Sequence, residues 1–451
     1  MLFGKRIKEL RESQKLPQRV VADALEITIP LYSRVERGER TLSKSHLPKL
    51  AQVLNVEENE LLKLYLADQV ALVLDGQIEI YNDVLDIAKK DITNMTKHKP
   101  TVLDLFCGCG GISSGFEQSG YKIIGGIDFN DKATETFAYN FKEAKVLCTD
   151  ITTVTDEQIT EYYKGVDVIV GGPPCQGFSS ANRWQKELED PRNKLFFEYL
   201  RFVKVLKPKV VMIENVRGLL TRDNGYAKER ITTLLSEMGY NVNMTVLDAS
   251  DYGVPQNRKR AIFVAIRTDL ATELFDFESL VKLPKVTVGE AISELYAFET
   301  SKDKKIATPK ATNEYLEYLH DGSTHITDHE VKYPAEIVQK RISFVPQGGN
   351  WASVPEELWP NNRKNRHSSA YKRLNPNDQS CTIDTGNAHS NYFHPIYNRI
   401  PTVRESARLQ SFKDSFHFVG ARGSQYRQVG NAVPPLLAKA VADQIKKIIK
   451  K

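Results

Sequence analysis

Residues 102–111, VLDLFCGCGG, join a short apolar run to a glycine-rich turn, and helical spacing resumes at Ile112. This pattern predicts a buried strand that ends in a tight turn before a helix. Gly108, Gly110 and Gly111 let the backbone pass close to a ligand at the beginning of that helix. A glycine-rich turn after a strand is common, so the stretch becomes informative only through its neighbours.

Acidic residues follow the next apolar runs. Asp128 comes directly after the run 123–127, where its carboxylate could hold a ribose diol, and Phe129 beside it could stack on adenine. Asp150 follows a third apolar stretch and could meet the adenine edge. Because the spacing does not match GxGxxG, a nucleoside cofactor is favoured over a dinucleotide. The alternative is that both aspartates only cap the following helices.

Cys175 lies where another apolar run ends. Residues 166–170, VDVIV, predict a buried strand, and GGPPCQGFSS follows at 171–180. Two glycines and two prolines end this strand in a sharp, stiff turn. A thiol held on such a turn suits nucleophilic catalysis, although a half-buried cysteine in a tight turn is the plain alternative.

The wider pattern predicts an α/β fold with an inserted second domain. From Thr101 onward, apolar runs alternate with helical segments, which indicates a mostly parallel sheet with crossover helices. Residues from about 270 to 395 lose this rhythm and include a basic, aromatic stretch. Before residue 65, short amphipathic patterns predict several helices around one small core. The apolar runs lie at 101–106, 122–127, 166–170, 209–213, 244–247 and 261–266.

Composition sets limits on the class of protein. With 451 residues, 41% hydrophobic and 26% charged, the chain can hold two or three globular domains, and its formal net charge of +5 permits nucleic-acid binding. Five cysteines without a CxxC pair or histidine cluster indicate reduced thiols and no metal site. No apolar run approaches membrane-spanning length and no signal peptide is recognised, so a cytoplasmic location is expected.

Six blocks of this chain, in this order, resemble the DNA (cytosine-5)-methyltransferase family, and the resemblance covers nearly all of residues 101–450. Single motifs of this kind are weak, whereas an ordered set of six is very specific. The blocks are DLFCGCGGISSGF (104–116), GGPPCQGFS (171–179), ENV (214–216), QNRKR (256–260), RESARLQSF (404–412) and GNAVPP (430–435).

The resemblance implies a Rossmann-like class I methyltransferase with a doubly wound sheet and an inserted, smaller target-recognition domain. It makes Cys175 the nucleophile that adds to cytosine C6, so that C5 can accept a methyl group. Glu214 would hold the N3/N4 edge of the base. Arg258 would brace the base or a phosphate, with Arg260 in support on the same side of one strand; ordinary structural pairing is the alternative for both.

The same resemblance implies S-adenosyl-L-methionine as the cofactor and no metal. The residues expected to line its pocket are Phe106, Gly108, Gly110, Asp128, Phe129, Asp150, Ile151, Pro174, Asn431 and Val433.

Double-stranded DNA is the implied substrate, and the target cytosine must be flipped out of the stack to reach such a site. Residues 179–192 resemble the family's mobile loop that closes over DNA, and a long flexible connector is the alternative. A basic stretch in the inserted region suits phosphate contacts, or is simply a solvated surface. The expected DNA contacts are Arg183, Arg366 and Arg373.

Residues Gly4–Leu62 resemble an all-α helix-turn-helix module of the phage-repressor type. Its first helix is predicted at Gln18–Leu25 and its recognition helix at Thr28–Arg37, with Thr28 as N-cap. Arg34 is expected near bases, and Arg11, Gln18, Arg37 and Arg40 near phosphates. The recognition helix starts with apolar residues, which could touch thymine methyl groups, or the module could serve protein contacts. Its presence suggests autoregulation at the protein's own promoter and dimerisation.

The predicted boundaries are 1–75 for the helix-turn-helix domain, 76–99 for a linker, 100–270 for the catalytic domain, 271–395 for the target-recognition domain and 396–451 for the part that completes the catalytic domain. The expected role is modification in a bacterial restriction-modification system, with the protein associated with the nucleoid. Two other interpretations stay open: methylation of tRNA, and a transcription regulator whose methyltransferase fold no longer turns over.

Overall fold

The computed structural model describes residues 2–74, 82–86, 99–174, 193–220, 225–300, 305–359, 371–385 and 392–449. The chain divides into two compact units, Met1–His98 and Lys99–Lys451. No helix in the described ranges has the length and apolar character that a membrane crossing requires.

The first unit is built from short helices because apolar side chains at helical spacing converge on one core. Ile7, Val21, Tyr32, Leu50 and Leu61 are fully buried there. The helices are α1 (Leu2–Ser13), α2 (Gln18–Ala24), α3 (Ile29–Glu36), α4 (Leu47–Val53) and α5 (Glu58–Val73), with a 3₁₀ turn at Lys44–His46.

The predicted helix-turn-helix pair is confirmed, since α2 and α3 match the predicted ranges to within one residue at each end. Thr28 caps α3, and its hydroxyl accepts a hydrogen bond from the Leu31 amide at 3.4 Å. Glu26 in the turn has a left-handed φ of +58°, which explains why glycine is common at this place.

Arg11 and Gln18 do not have the phosphate-facing role expected of them. Arg11 is 9% exposed, and its Nε and Nη2 donate to the Glu36 carboxylate at 2.5 and 3.1 Å. Gln18 donates to the same carboxylate at 2.6 Å. A buried acid requires such partners, so both side chains join the helices of the unit to one another.

The second unit contains a seven-stranded sheet in the order β3–β2–β1–β4–β5–β7–β6. Strands β1 to β5 pair in parallel, whereas β7 is antiparallel to both β5 and β6. The strands are β1 (Thr101–Leu105), β2 (Lys122–Asp128), β3 (Lys145–Cys148), β4 (Val168–Gly171), β5 (Val210–Val216), β6 (Tyr240–Asp248) and β7 (Lys259–Arg267).

Helices cover both faces of this sheet, which confirms the predicted doubly wound α/β fold. Along β4, Val168 and Val170 enter one apolar cluster while Ile169 enters the other. The helices are α6 (Gly111–Gln118), α7 (Asp131–Asn140), α8 (Asp156–Tyr163), α9 (Lys194–Leu206), α10 (Tyr226–Glu237), α11 (Val288–Ile292), α12 (Glu314–His320), α13 (Glu336–Ser343), α14 (Val403–Leu409), α15 (Arg422–Asn431) and α16 (Pro435–Ile449). The 3₁₀ turns are Ile151–Thr153, Arg217–Leu220, Ala249–Asp251, Ser293–Phe298, Trp351–Ser353 and Glu356–Leu358.

The segment 271–395 packs into the large core near both of its ends and again around α12. Phe275, Leu319 and Tyr392 belong to the same apolar cluster as α6 and α16. Its middle builds two small clusters, one around Ile342 and one around Ile306. Its strands are β8 (Lys305–Ala307), β9 (His325–Thr327), β10 (Lys372–Arg373) and β11 (Tyr392–Phe393).

Three fully buried arginines around α14 form what we call the ionic web. Arg399 pairs with Glu405 at 2.8 Å, Arg404 with Asp328 at 3.3 Å, and Arg408 with Asp414 at 2.6 Å. The Arg399 guanidinium and nearby histidines outweigh burial and hold the pKa of Glu405 well below its usual range. Glu299 and Glu294 complete the web as second carboxylates for Arg399 and Arg408.

One part of the ionic web has the composition of a metal site. Glu294, His320 and Asp414 each bring one potential ligand atom within 4.8 Å of the others. Arg408, however, lies 2.6 Å from both carboxylates. Because its positive charge already neutralises these acids, the group is better explained as part of the ionic web.

Candidate active site

The candidate site lies at the carboxyl ends of the parallel strands. β1 has β2 on one side and β4 on the other, so the chain connections on its two sides run in opposite directions. They leave a crevice between them at the carboxyl end of β1. A cavity of about 420 Å³ opens at this point. Its lining joins residues from four strand ends to residues near the end of the chain: Asp104, Phe106, Cys107, Gly108, Cys109, Gly111, Ile112, Asp128, Phe129, Asn130, Ala133, Gly172, Pro174, Glu214, Ser424, Arg427, Gln428, Asn431, Ala432 and Val433.

The glycine-rich turn after β1 is held by Asp128. Its carboxylate accepts the Gly108 amide and the Asn130 amide, both at 2.9 Å. Phe106 has a left-handed φ of +60°, a costly conformation for a phenylalanine and of a kind found at ligand sites. Phe129 is 78% exposed at the cavity, so its ring face is open to a ligand.

The beginning of α6 lies against the last part of the chain. A side chain at Gly111 would collide with the Val433 carbonyl oxygen, so glycine is required at this position. This close contact brings Asn431 and Val433 into the cavity wall. The two expected residues are therefore brought to the glycine-rich turn although more than 300 positions separate them in sequence.

Asp104 is a residue of the cavity that the sequence interpretation did not assign. It is 1% exposed, and its Oδ2 accepts the Ser113 hydroxyl at 2.7 Å. Its Oδ1 has no hydrogen-bond partner within the described part of the chain. Burial raises the pKa of Asp104 to about 7. In the sequence, this residue stands out only as the single acid inside the apolar run VLDLF.

Glu214 faces the turn that precedes Cys175. A side chain at Gly172 would lie 3.0 Å from Glu214 Oε2, and Asn215 Nδ2 donates to the Pro173 carbonyl at 3.0 Å. Only 13% of the Glu214 side chain is exposed, and this burial raises its pKa, which Arg260 partly opposes. At this position a protonated carboxyl is favoured more than it is in water.

Arg260, which was expected only to support Arg258, is the arginine that contacts Glu214. Arg260 lies in β7 and its Nε is 2.7 Å from Glu214 Oε1. Arg258 precedes β7, is 2% exposed, and donates to the carbonyls of Ile383 and Gly430 at 2.9 and 3.0 Å. Arg258, the residue directly before β7, therefore braces backbone, because a buried guanidinium requires hydrogen-bond acceptors wherever they lie.

Three expected cofactor residues are absent from the cavity lining in the described part of the chain. Asp150 is exposed, and its carboxylate caps a 3₁₀ turn by accepting the Thr152 amide at 2.9 Å. Ile151 is buried in the apolar cluster on one face of the sheet. Gly110 has a φ of +99°, and a side chain there would collide with Phe137 of α7 and with Phe141 at the end of that helix. Glycine at this position therefore allows the turn to form.

The proposed nucleophile Cys175 lies outside the described residues, as do Arg183, Arg366 and the loop 179–192. Pro174, immediately before Cys175, lines the cavity. The two thiols inside the cavity wall are poor nucleophiles, because burial raises the pKa of Cys109 to about 12 and that of Cys107 well above its usual range.

Arg373 does not have the exposed position that a DNA contact requires. It is 8% exposed and donates to the Ile342 carbonyl at 3.1 Å and to the Asn398 side chain. It therefore stabilises the fold around β10. In the first unit, Arg34, Arg37 and Arg40 are all exposed, and Arg37 forms an ion pair with Glu39 at 2.7 Å.

Comparison with known proteins agrees with this geometry. The family model of C-5 cytosine-specific DNA methylases matches residues 100–447, and a helix-turn-helix model matches residues 7–61. Type II methyltransferase M.DdeI of Desulfomicrobium norvegicum is 37% identical over 367 residues, which cover 76% of this chain and 88% of that protein.

Two further relatives extend the comparison. Type II methyltransferase M.Sau96I of Staphylococcus aureus is 29% identical, and the alignment covers 98% of this chain and 97% of that protein. The crystal structure of a DNA modification methyltransferase encoded within an E. coli prophage has a TM-score of 0.63 at 25% identity, over 78% of this chain and all of that one. The chain belongs to the C-5 cytosine-specific DNA methylase family and is a DNA (cytosine-5-)-methyltransferase with an N-terminal helix-turn-helix module.

Proposed function

We propose that the chain methylates C5 of one cytosine within a short duplex DNA site, as the modification enzyme of a restriction-modification system. One observation carries this proposal. Glu214 and Pro174, the residue before Cys175 in sequence, line the same cavity as Asp128 and Asn431. The acid proposed to hold the base thus lies in the wall of the proposed cofactor pocket. Direct methyl transfer requires the base and the cofactor to lie side by side in this way.

The cavity fits S-adenosyl-L-methionine. Its volume is within the range of small-molecule sites. Asp128 suits the ribose, the exposed Phe129 ring suits the adenine face, and the partnerless Asp104 Oδ1 suits the positively charged methionine end. Asn431 and Val433 would close the pocket from the end of the chain. When bound, the cofactor supplies an electrophilic methyl group.

Cys175 would add to C6 of the flipped cytosine, which makes C5 electron-rich enough to accept a methyl group. Glu214 would hold the N3/N4 edge and give up its proton to N3 as charge develops on the ring. After methylation, water would take the proton from C5, the bond between C6 and the Cys175 sulfur would break, and Glu214 would recover its proton from N3. Its raised pKa supports this role, since the acid must still hold that proton when the thiolate attacks. Arg260 would orient Glu214 through their 2.7 Å contact.

The experiment is bisulfite sequencing of DNA from cells that express the chain. We expect methylated cytosines in one recurring short context, and none with Cys175→Ala. Purified protein should transfer radioactive methyl groups to duplex DNA and not to tRNA. Full activity of Cys175→Ala, or label on tRNA alone, would overturn the proposal.

We also propose that residues 271–395 read the target sequence and that residues 179–192 close over the DNA. The basic residues at 361–373 support phosphate contacts, with the exception of the buried Arg373. Arg366→Ala and Arg183→Ala should each weaken DNA binding and flatten its dependence on salt concentration.

For the first unit we propose binding to the protein's own promoter, as a dimer on two half-sites. The exposed Arg34 on the recognition helix supports this role. A gel-shift of the full chain on its promoter fragment should show a preference over random DNA that Arg34→Ala removes. No preference in the wild type would refute autoregulation and leave the methyltransferase proposal intact.

A further inference from the structure

The recognition helix α3 begins with three residues that have no hydrogen-bonding side chain, Ile29, Pro30 and Leu31. All three are exposed, Ile29 at 42% and Leu31 at 37%. Residues at the beginning of a recognition helix are the ones that reach base edges in the major groove. An apolar first turn cannot read the donor and acceptor pattern there, but it can contact methyl groups.

The orientation of α3 follows from its buried side. Tyr32, Val35 and Glu36 point into the core of the first unit. Successive residues are turned by 100°, so Pro30 and Arg34 lie opposite the buried side and Leu31 lies between the two sides. Ile29 is on the side of Glu36 but is 42% exposed, because it is the first residue of the helix. The apolar turn is thus presented outward.

Positive charge follows this apolar turn along the chain. Arg34 in α3, Arg37 at its C-terminal end and Arg40 beyond it are exposed, although Arg37 is paired with Glu39, and such residues are complementary to the phosphates that border a major groove. The Thr28 cap holds the first turn in its helical form. The surface thus combines an apolar contact with a cationic border, and duplex DNA with methyl groups in its groove fits both.

We propose that this first turn reads the C5-methyl group of pyrimidines, and that the module therefore binds its operator more tightly when a cytosine there has become 5-methylcytosine. The inference rests on the proposed DNA binding by the module. 5-Methylcytosine places its methyl group at the same ring position as the thymine methyl group in the major groove. That methyl group is the product of this enzyme's own reaction, so repression would strengthen as modification proceeds.

The test uses the full chain without methyl donor. Duplexes selected from a random library by the wild type, but not by Arg34→Ala, define the operator. Binding is then measured on operators in which each cytosine in turn is replaced by 5-methylcytosine. We expect about fourfold tighter binding at one or more positions, equal to about 0.8 kcal/mol for one buried methyl-sized group.

The variant that tests the apolar turn itself is Ile29→Ser/Leu31→Ser, which changes only exposed side chains and leaves the rest of the chain intact. In this variant the preference for 5-methylcytosine should disappear. Equal or weaker binding at every methylated position overturns the inference, and so does a preference that the double variant keeps. A selection that yields no operator overturns the proposed DNA binding as well, so the two failures are distinguishable.

Discussion

The ionic web and the catalytic cavity both bury charged groups, but they treat them in opposite ways. In the web, Glu405 accepts two guanidinium bonds and a backbone amide, and its pKa is held well below the usual range. In the cavity, burial raises the pKa of Glu214 and Asp104 because their partners compensate only in part. Paired charges stabilise a fold, whereas partly paired ones are available to a substrate.

Glu214→Gln tests the cavity side and carries the largest expected effect. The amide can still hydrogen-bond the cytosine edge but cannot supply a proton, so kcat should fall about 10²- to 10⁴-fold while DNA affinity is kept. In the proposed mechanism the protonated form is the active one, so the wild-type rate should fall as pH rises through the raised pKa of Glu214. The measurement is methyl transfer against pH. A variant that keeps the wild-type profile would contradict the assignment.

Glu405→Gln tests the web. Removing one partner of a buried pair leaves Arg399 less compensated, so the free energy of unfolding should drop by about 3–5 kcal/mol. All three tryptophans lie in the second unit, so their fluorescence in urea follows its unfolding. Glu405 has a lowered pKa, so its contribution is present above the ordinary value of 4.5 and is lost as pH falls below it. The difference in unfolding free energy between wild type and variant should therefore become smaller at acidic pH. The folded fraction of the variant should keep the wild-type pH profile of methyl transfer.

Asp104→Asn removes the most deeply buried acid of the cavity. Between pH 3.8 and about 7 the native state holds a proton that the unfolded chain has released, so wild-type stability falls as pH rises across this window. The variant should lack this contribution to the slope and gain as much as about 4 kcal/mol relative to wild type above pH 7, because the pKa of Asp104 is raised from 3.8 to about 7. Parallel urea titrations at pH 5 and pH 8 check this. The same pH dependence in both proteins would show that Asp104 is not buried in this way.

Asp443→Asn is the matched surface control in the same unit. Lys439 and Asp443 form a half-exposed pair at 2.6 Å on α16. Its loss should cost only about 0.2–0.5 kcal/mol, because water and salt screen exposed charges. A loss as large as that of Glu405→Gln in the same urea assay would remove the distinction between buried and exposed pairs.

Much of the fold and part of the site could be predicted from local patterns. The helix pair of the first unit, the strands β1, β2, β4, β5 and β7, and the second half of β6 follow from periodicity and turn residues. For β3 the sequence indicates only an apolar stretch before Asp150, because this strand has four residues and none is fully buried. The buried positions of Arg258 and Arg373 differ from the expected DNA-facing ones for one reason. The sequence shows that a residue is charged, but not whether a carbonyl group from a distant segment will accept its hydrogen bonds.

By itself, the sequence determined the order of the strands along the chain, the helix-turn-helix module and the residues at each strand end, because these depend on neighbours within a few positions. Only the tertiary structure decided that Val433 meets Gly111, that Arg260 rather than Arg258 contacts Glu214, and that one oxygen of Asp104 has no partner among the described residues. These outcomes depend on long-range packing, which determines which buried polar groups find partners and which remain open to a ligand.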